Sequence, residues 1–473
     1  MILTVIILVG IFFRSYNFHN YVRFNPDQAR DAGIVRDVIN GKRSLPLLGP
    51  KAGGTKFRLG PIFYYFEIAS AKIMGNFPDK MAYPDFIASV LSIGLLYLFL
   101  RKYFSRNISF LSVTLFSVSF YVIHYSRFAW NPNSIPFYVL LFLYALTEIA
   151  CPKKKRKIFW TIILGIAVGI GVQLHSLLLF IFPLFLTIYF AYLFFKKNPA
   201  WKYFFLVIGL ALIINIPQII SEVNTGGKNT QAFFKGVHTK SSRSGTYADK
   251  LALDTVCHIQ ANSFMIAPIG NNSQCDFIDV AKNIKKNNSK ANAPLKNFIL
   301  LSDIMLAVVF SLGGYFLLVY FWYRETNLNR KLFLGVIITY ISILFLILIP
   351  LADEISFRFF LVAEFLPFVF LGLWMKFLIQ RFGKKGWISS ILLIVVLVTI
   401  NIYALRNNFS YLAGQHSVGN NGFEDIKLSE VEFMSRFIEA HSSNTKNIYI
   451  KGKAGKLFKI IRPINYFTEK KGI

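Results

Sequence analysis

The chain has 473 residues, 55% of them hydrophobic and 17% aromatic, and a formal net charge of +29; so apolar a composition excludes an ordinary soluble domain and describes a polytopic membrane protein. Its apolar runs are uninterrupted rather than alternating, which excludes a closed barrel, so the expected fold class is an all-α polytopic membrane protein whose spans satisfy their own backbones. The basic excess would suggest nucleic acid in a soluble protein, but no such signature accompanies it, and the lysines and arginines gather in short loops at alternate helix ends.

About eleven spans are predicted, at residues 1–18, 83–100, 107–124, 134–150, 158–174, 176–195, 202–220, 299–321, 332–351, 357–375 and 387–404. Clusters at Arg101, Lys102 and Arg106, at 153–157, at Lys196, Lys197 and Lys202, at Arg324, Arg330 and Lys331, and at Lys376, Arg381, Lys384 and Lys385 place those loops and the amino terminus in the cytoplasm and the carboxyl terminus outside. A multi-pass plasma-membrane protein is expected, its basic loops held by anionic headgroups. The first run offers about 13 apolar residues before Arg14, roughly 20 Å of helix against a ~30 Å core. Either Arg14 snorkels, or the chain starts further upstream. A cleaved signal peptide is the poorer reading, with no basic leading region and no small-residue cleavage site.

Residues 1–404 are read as one transmembrane domain with two outer loops, 14–82 and 221–298, and residues 405–473 as a small outer tail. In the first loop, Ala29, Ile34, Val38 and Ile39 recur at near-helical spacing, predicting an interfacial helix over 27–40. A second is predicted over 61–75, with Pro61 suited to its first turn, and the glycine-rich turn Gly49-Pro50-Lys51-Ala52-Gly53-Gly54 lies between them. The second loop is rich in asparagine, lysine and serine and reads as a partly disordered lid. In the tail, 431–440 reads as a helix and 447–450 as a strand, a small α/β appendage. No internal repeat stands out. Cys151 sits beside the 153–157 cluster as a reduced thiol. Cys257 and Cys275 share the second outer loop, where a disulfide would contribute roughly 3 kcal/mol; spacing leaves the pairing open.

Chemistry-bearing side chains gather on the expected outer face: Asp27, Arg30 and Asp31; Arg58; His124, Arg127, Trp130 and Asn131; His175; and Asp353, Glu354 and Arg358. In a helix Asp27 and Asp31 share a face. One carboxylate can take a proton from a hydroxyl while cations hold a departing phosphate. The bland alternatives are that Asp27 charges a helix start, that Arg127 and Arg358 reach to headgroups, that His175 is a bonded junction histidine and that Trp130 belongs to the aromatic belt. Glu364, deep in the tenth span, is costly to bury and stays open. No His-x-x-x-His or Cys-x-x-Cys cluster occurs, and no metal or other cofactor is expected to be required.

Several motifs in order carry a resemblance: Asp27, then Leu45-Pro46-Leu47-Leu48-Gly49-Pro50, Gly60-Pro61-Ile62-Phe63-Tyr64-Tyr65, Ser126-Arg127-Phe128-Ala129-Trp130-Asn131-Pro132-Asn133, Gln173-Leu174-His175, and Arg358-Phe359-Phe360 with Pro367 downstream. Together they resemble the membrane-embedded C-class glycosyltransferases of the protein mannosyltransferase and aminoarabinose transferase type, over residues 1–220 and more weakly over 299–404. The resemblance implies transfer of one sugar, with inversion, from a polyprenyl-phosphate carrier to a glycan, lipid or protein acceptor on the outer face. It implies Asp27 as the catalytic base. The family reads Asp-Glu where this chain reads Asp27-Gln28. Arg30, Arg58 and Arg358 are then expected at the lipid phosphate, with Asp31, Arg127, Asn131, His175 and Glu354 around the sugar or the site mouth. A glycan ligase or polymerase using the same carrier, or a flippase of lipid-linked sugars, are the alternatives; a flippase favours repeated halves and charges at the midplane.

Overall fold

The structure, a computed structural model, describes residues 1–150, 156–241, 246–269, 275, 293–414, 426–442, 451 and 454–471. Cys151 and the strand expected at 447–450 lie outside the described residues.

Among the described residues six helices are long and apolar enough to cross a membrane: Pro78–Leu100, Lys157–Leu174, Leu178–Phe195, Leu301–Arg324, Leu328–Glu354 and Lys384–Ala413. Two bent helix pairs meet the same length and hydropathy together, Pro199–Ile214 with Ile216–Thr225 at 65° and Phe357–Ala363 with Leu366–Phe382 at 64°, each a broken span or a re-entrant loop. Ile2–Ser15 and Ile135–Ala150 are apolar but shorter. The run expected as one span over 107–124 is two helices, Arg106–Val118 and Phe120–Tyr125, which meet at an extended Ser119. The expected runs are thus largely helical, and among the described residues six helices, or eight with each bent pair taken as one span, have the length and hydropathy of a crossing.

Arg14 does not snorkel. It is fully buried, and its guanidinium donates to Ser89 Oγ (2.9 Å), Gly10 O (3.1 Å) and Ser117 O (2.8 Å). These bonds tie Ile2–Ser15 to the helices that begin at Tyr83 and Arg106. A buried cation is tolerated only with such partners, and the carboxylate of Glu364, also buried, attracts it across the interior.

The first outer loop folds as two helices around a hairpin. Pro26–Ile39 starts with Pro26 in its first turn, and Asn25 N–H donates to Gln28 Oε1 at 3.2 Å, so the start of this helix is held by its own sequence. The second helix runs Ile62–Met74 with Pro61 as its N-cap residue, one position ahead of the first turn. Between them the glycine-rich stretch closes a hairpin through Gly49 N–H to Leu59 O, Leu59 N–H to Pro50 O and Ala52 N–H to Phe57 O. Gly54 turns it with φ 73°, a conformation that favours glycine. A Cβ on Gly49 would stand 2.1 Å from Gly60 O, so the two arms approach as closely as glycine permits.

In its described part the second loop forms Ile216–Thr225, Lys228–Ser241 and Tyr247–Ile266; Tyr247–Ile266 has a buried face that packs on its neighbours, and Cys257 and Cys275, whose pairing the spacing left open, are joined in a disulfide with Cα atoms 4.8 Å apart. In the tail the described residues form Leu428–His441, which contains the helix expected at 431–440, and Ala454–Lys471. The tail docks on the first loop. Phe24 N–H donates to Ile426 O, Leu428 N–H to Val22 O, and Arg36 Nη1 to Tyr466 O, with Phe24 against the rings of Tyr466 and Phe467.

Candidate active site

The helix Pro26–Ile39 presents Asp27 and Arg30 to a cavity of about 710 Å³. The hairpin residues Lys51 to Thr55, with Phe57 and Leu59, form one wall; Trp130 and Asn131, His175, Arg358 and Phe359 form others. Phe180, Phe233, Val237, Leu346, Ile347 and Leu351 add an apolar side. The cavity therefore has an ionic mouth and a greasy flank, as an amphipathic ligand requires.

Asp27 and Asp31 grip one guanidinium from two sides. Arg30 Nη1 donates to Asp27 Oδ1 at 2.8 Å, while Nε and Nη2 donate to the two oxygens of Asp31 at 2.9 Å each. Asp27 nonetheless stays 60% exposed, whereas Asp31 is buried. The four-residue spacing thus produces one exposed carboxylate and one structural anchor. Burial alone would lower the Arg30 pKa, but hydrogen bonds and charge from Asp31, then charge from Asp27, hold it above its ordinary value. Tyr64 O–H donates to Asp31 Oδ1 at 2.8 Å, and burial, then the Asp31 charge, pushes the phenol up. Glu67, one helical turn on, is buried, and burial with the Asp31 charge raises it well above the carboxylate range. Asp31 itself is raised by burial against the pull of Arg30 and Tyr64.

The departure at Gln28 has a structural reason. Its Nε2 donates to Ala129 O at 3.0 Å while its Oε1 accepts from Asn25 N–H. An ionised glutamate has no N–H to give Ala129. The amide therefore fastens the start of the Asp27 helix to the segment that carries Trp130 and Asn131.

The motif spacing has the same logic. Gln173 Oε1 accepts from Ile62 N–H at 3.1 Å, and a Cβ on Gly60 would stand 2.3 Å from that oxygen. Gln173 thus seats the hairpin base and sets His175, two residues on, in the cavity wall. His175 Nδ1 accepts from Leu177 N–H at 3.1 Å, and its ring meets Phe359 edge-on at 5.9 Å. Asn131 Nδ2 donates to Leu174 O at 2.7 Å. Asp85 receives Trp130 N–H at 2.9 Å and bonds Ser134 Oγ.

Of the residues singled out from sequence, Asp27, Arg30, Asn131, His175 and Arg358 meet in this cavity; Asp31, Arg58, Arg127 and Glu354 do not line it. In the hairpin arm, Phe57 and Leu59 line the cavity and Arg58 between them does not, as alternation dictates; its Nε bonds Gly49 O at 2.9 Å and its backbone is clasped by Asn229. Arg127 closes the first helix by donating to the carbonyls of Phe13, Arg14 and Tyr16 at 3.0, 2.7 and 2.6 Å, carbonyls that a helix end leaves unpaired. Glu354 ends the turn Ile349–Glu354, of which Pro350 and Leu351 reach the cavity. Lys51 was missed as a site cation; its place in the glycine turn between Gly49-Pro50 and Gly53-Gly54 was the available signal. Trp130, read as a belt residue, is a wall of the cavity. Among the described residues no three His, Cys, Asp or Glu side chains converge where a metal ion could be held.

Comparison with known proteins agrees with the motifs. Residues 59–221, about a third of the chain, match the family model described as dolichyl-phosphate-mannose-protein mannosyltransferase. The match holds Gly60-Pro61, Arg127 to Asn131 and His175, and supports a membrane-embedded C-class glycosyltransferase of the protein mannosyltransferase type. No curated protein matches. Similar solved structures include ArnT of Cupriavidus metallidurans without ligand, at 14% identity and a TM-score of 0.41 over 79% of this chain and 75% of that one. ArnT bound to undecaprenyl phosphate is similar at 12% and 0.45, over 99% and 84%. The oligosaccharyltransferase of Archaeoglobus fulgidus, tethered to an acceptor peptide with an NVT sequon, is similar at 14% and 0.49, over 96% of this chain and 59% of that one.

Proposed function

We propose that the chain is an inverting glycosyltransferase that moves one sugar from a polyprenyl-phosphate carrier to an acceptor hydroxyl on the outer face of the membrane. The observation that carries this reading is the single cavity in which an exposed carboxylate, Asp27, faces cations at Arg358 and Lys51 beside an apolar flank. Asp27 takes the acceptor proton, the acceptor oxygen forms the new bond to the anomeric carbon, and the sugar–phosphate bond breaks from the opposite side. The leaving polyprenyl phosphate gains negative charge, which Arg358 and Lys51 offset. Arg30 is held by both aspartates and orients Asp27. Asn131 and His175 stand where sugar hydroxyls would lie. The isoprenoid tail takes the flank of Phe180, Phe233 and Leu346. No metal is assigned a role.

The test uses purified protein, membranes and radiolabelled polyprenyl-phosphate sugars. Asp27→Asn is expected to lower transfer by at least roughly a thousandfold, the scale of losing a general base, with donor binding retained. Normal turnover in that variant removes Asp27 as the base. In the same assay Arg358→Ala is expected to weaken donor binding roughly tenfold, and an unchanged donor affinity removes its phosphate role.

A further inference from the structure

A second cavity, of about 660 Å³, shares a wall with the first. Along the segment 128–131, Phe128 lines the second cavity while Trp130 and Asn131 line the first; along 357–359, Phe357 lines the second while Arg358 and Phe359 line the first. Asp27 does not border the second cavity, so a ligand there is not placed for sugar transfer.

The far side of this cavity is built by the end of helix Lys384–Ala413. That helix has 30 residues, about 45 Å, and outruns a ~30 Å hydrocarbon core. Counted from the basic pair Lys384 and Lys385, Ile400 is still within the core, and Asn407, Asn408 and Tyr411 stand at headgroup depth. The floor is apolar and aromatic, with Phe120, Phe264, Ile269, Phe357 and Ile400. The rim holds Arg23, Arg127 and Lys427 with the amides Asn407 and Asn408, and no carboxylate lines the cavity among the described residues. Lys427 is bridged to Glu430 at 3.0 Å. Arg127 gives its bonds to backbone carbonyls, which leave its positive charge in place, and its guanidinium lies 5.1 Å from the Phe409 ring. Arg23 lies 4.8 Å over Phe128.

An apolar floor at core depth under a cationic, amide-bearing rim at headgroup depth matches the two halves of one kind of molecule. We propose that this cavity seats an anionic phospholipid of the surrounding bilayer, its phosphate between Arg23, Arg127 and the two amides and its chains on the aromatic floor. A choline headgroup is disfavoured because its ammonium would meet cations and no carboxylate. Since Phe128 and Phe357 share backbone with Trp130 and Arg358, the lipid stiffens the wall that positions the first cavity.

Native mass spectrometry of the full-length protein in detergent, titrated with phosphatidylglycerol and with phosphatidylcholine, tests this. One site that prefers phosphatidylglycerol is expected. Asn408→Asp, isosteric and of the wrong charge, is expected to weaken phosphatidylglycerol at that site roughly fivefold, and Asn408→Lys to tighten it by a similar factor; phosphatidylcholine, whose headgroup has no net charge, is expected not to follow that order. A protein that had merely misfolded would not move in opposite directions. Equal phosphatidylglycerol affinity in the three proteins, or phosphatidylcholine bound as tightly, overturns the proposal. So does displacement of the lipid by inorganic phosphate, which has no use for the apolar floor, or a preference of the site for polyprenyl phosphate.

Discussion

Around Asp31 four ionisable groups share one buried volume, and their charges cannot all be present. Arg30 and Asp31 form the charged pair, Tyr64 remains a phenol, and Glu67 is pushed towards its neutral form by burial and by Asp31. A carboxyl whose folded value is raised leaves stability intact below the ordinary carboxyl range and erodes it as pH climbs towards the folded value. Glu67→Gln, a neutral isostere, is therefore expected to fold and to transfer sugar at close to the wild-type rate, and to melt higher than wild type as pH rises above about 4.3. Asp31→Asn leaves the Arg30 guanidinium without its bidentate partner and is expected to cost about 3 kcal/mol, the scale of a broken buried pair. Melting in detergent between pH 4 and 9 checks both; a parallel pH response of wild type and Glu67→Gln would mean that Glu67 is ionised in the fold.

At the scale of elements, the site is assembled by single side chains that bridge distant segments. Gln28 joins the Asp27 helix to Ala129, Gln173 joins the fifth predicted span to the hairpin, and Asn229 joins the hairpin to Lys228–Ser241. The last of these matters because Phe233 and Val237 of that helix line the apolar flank of the Asp27 cavity. Asn229 both accepts from Arg58 N–H and donates to Arg58 O, at 2.8 and 2.9 Å. Asn229→Ala removes both bonds, worth about 1–3 kcal/mol together. Amide exchange over 228–241 is expected to speed up and donor affinity to fall, with the Asp27 chemistry retained at saturating donor. Exchange at the wild-type rate would show that the helix is held by packing alone.

At the scale of the whole molecule, the tail is a clamp on the helix that carries Asp27. Arg36 donates to Tyr466 O and lies 4.9 Å over the Tyr466 ring, and Phe24 is enclosed by Tyr466 and Phe467. Removing residues 426–473 would expose this apolar face and free the start of the helix, where small misplacements are costly to rate. Such a truncation is expected to keep its membrane helices, to become protease-sensitive between residues 20 and 60, and to lose transfer at least roughly a hundredfold; full activity would show that the clamp is dispensable.

Membrane residence, the helical runs, the two loop helices at Pro26 and Ile62 and the candidacy of Asp27, His175 and Arg358 were legible in the sequence. Each depends on a local property: lipid solvates a run of apolar residues whatever its neighbours, and a proline and a capping amide start a helix from within it. What tertiary structure decided is the employment of each polar group. Arg58 and Arg127 looked equivalent to Arg358 in sequence, yet they bond carbonyls of Gly49 and of the first helix and do not line the Asp27 cavity, while Arg358 and the overlooked Lys51 do. Helical spacing put Asp27 and Asp31 on one face, but only the packing of Tyr64 and Glu67 buried one and left the other exposed. A side chain's charge is written in its own chemistry; its partner arrives from another part of the chain, and only the folded arrangement supplies it.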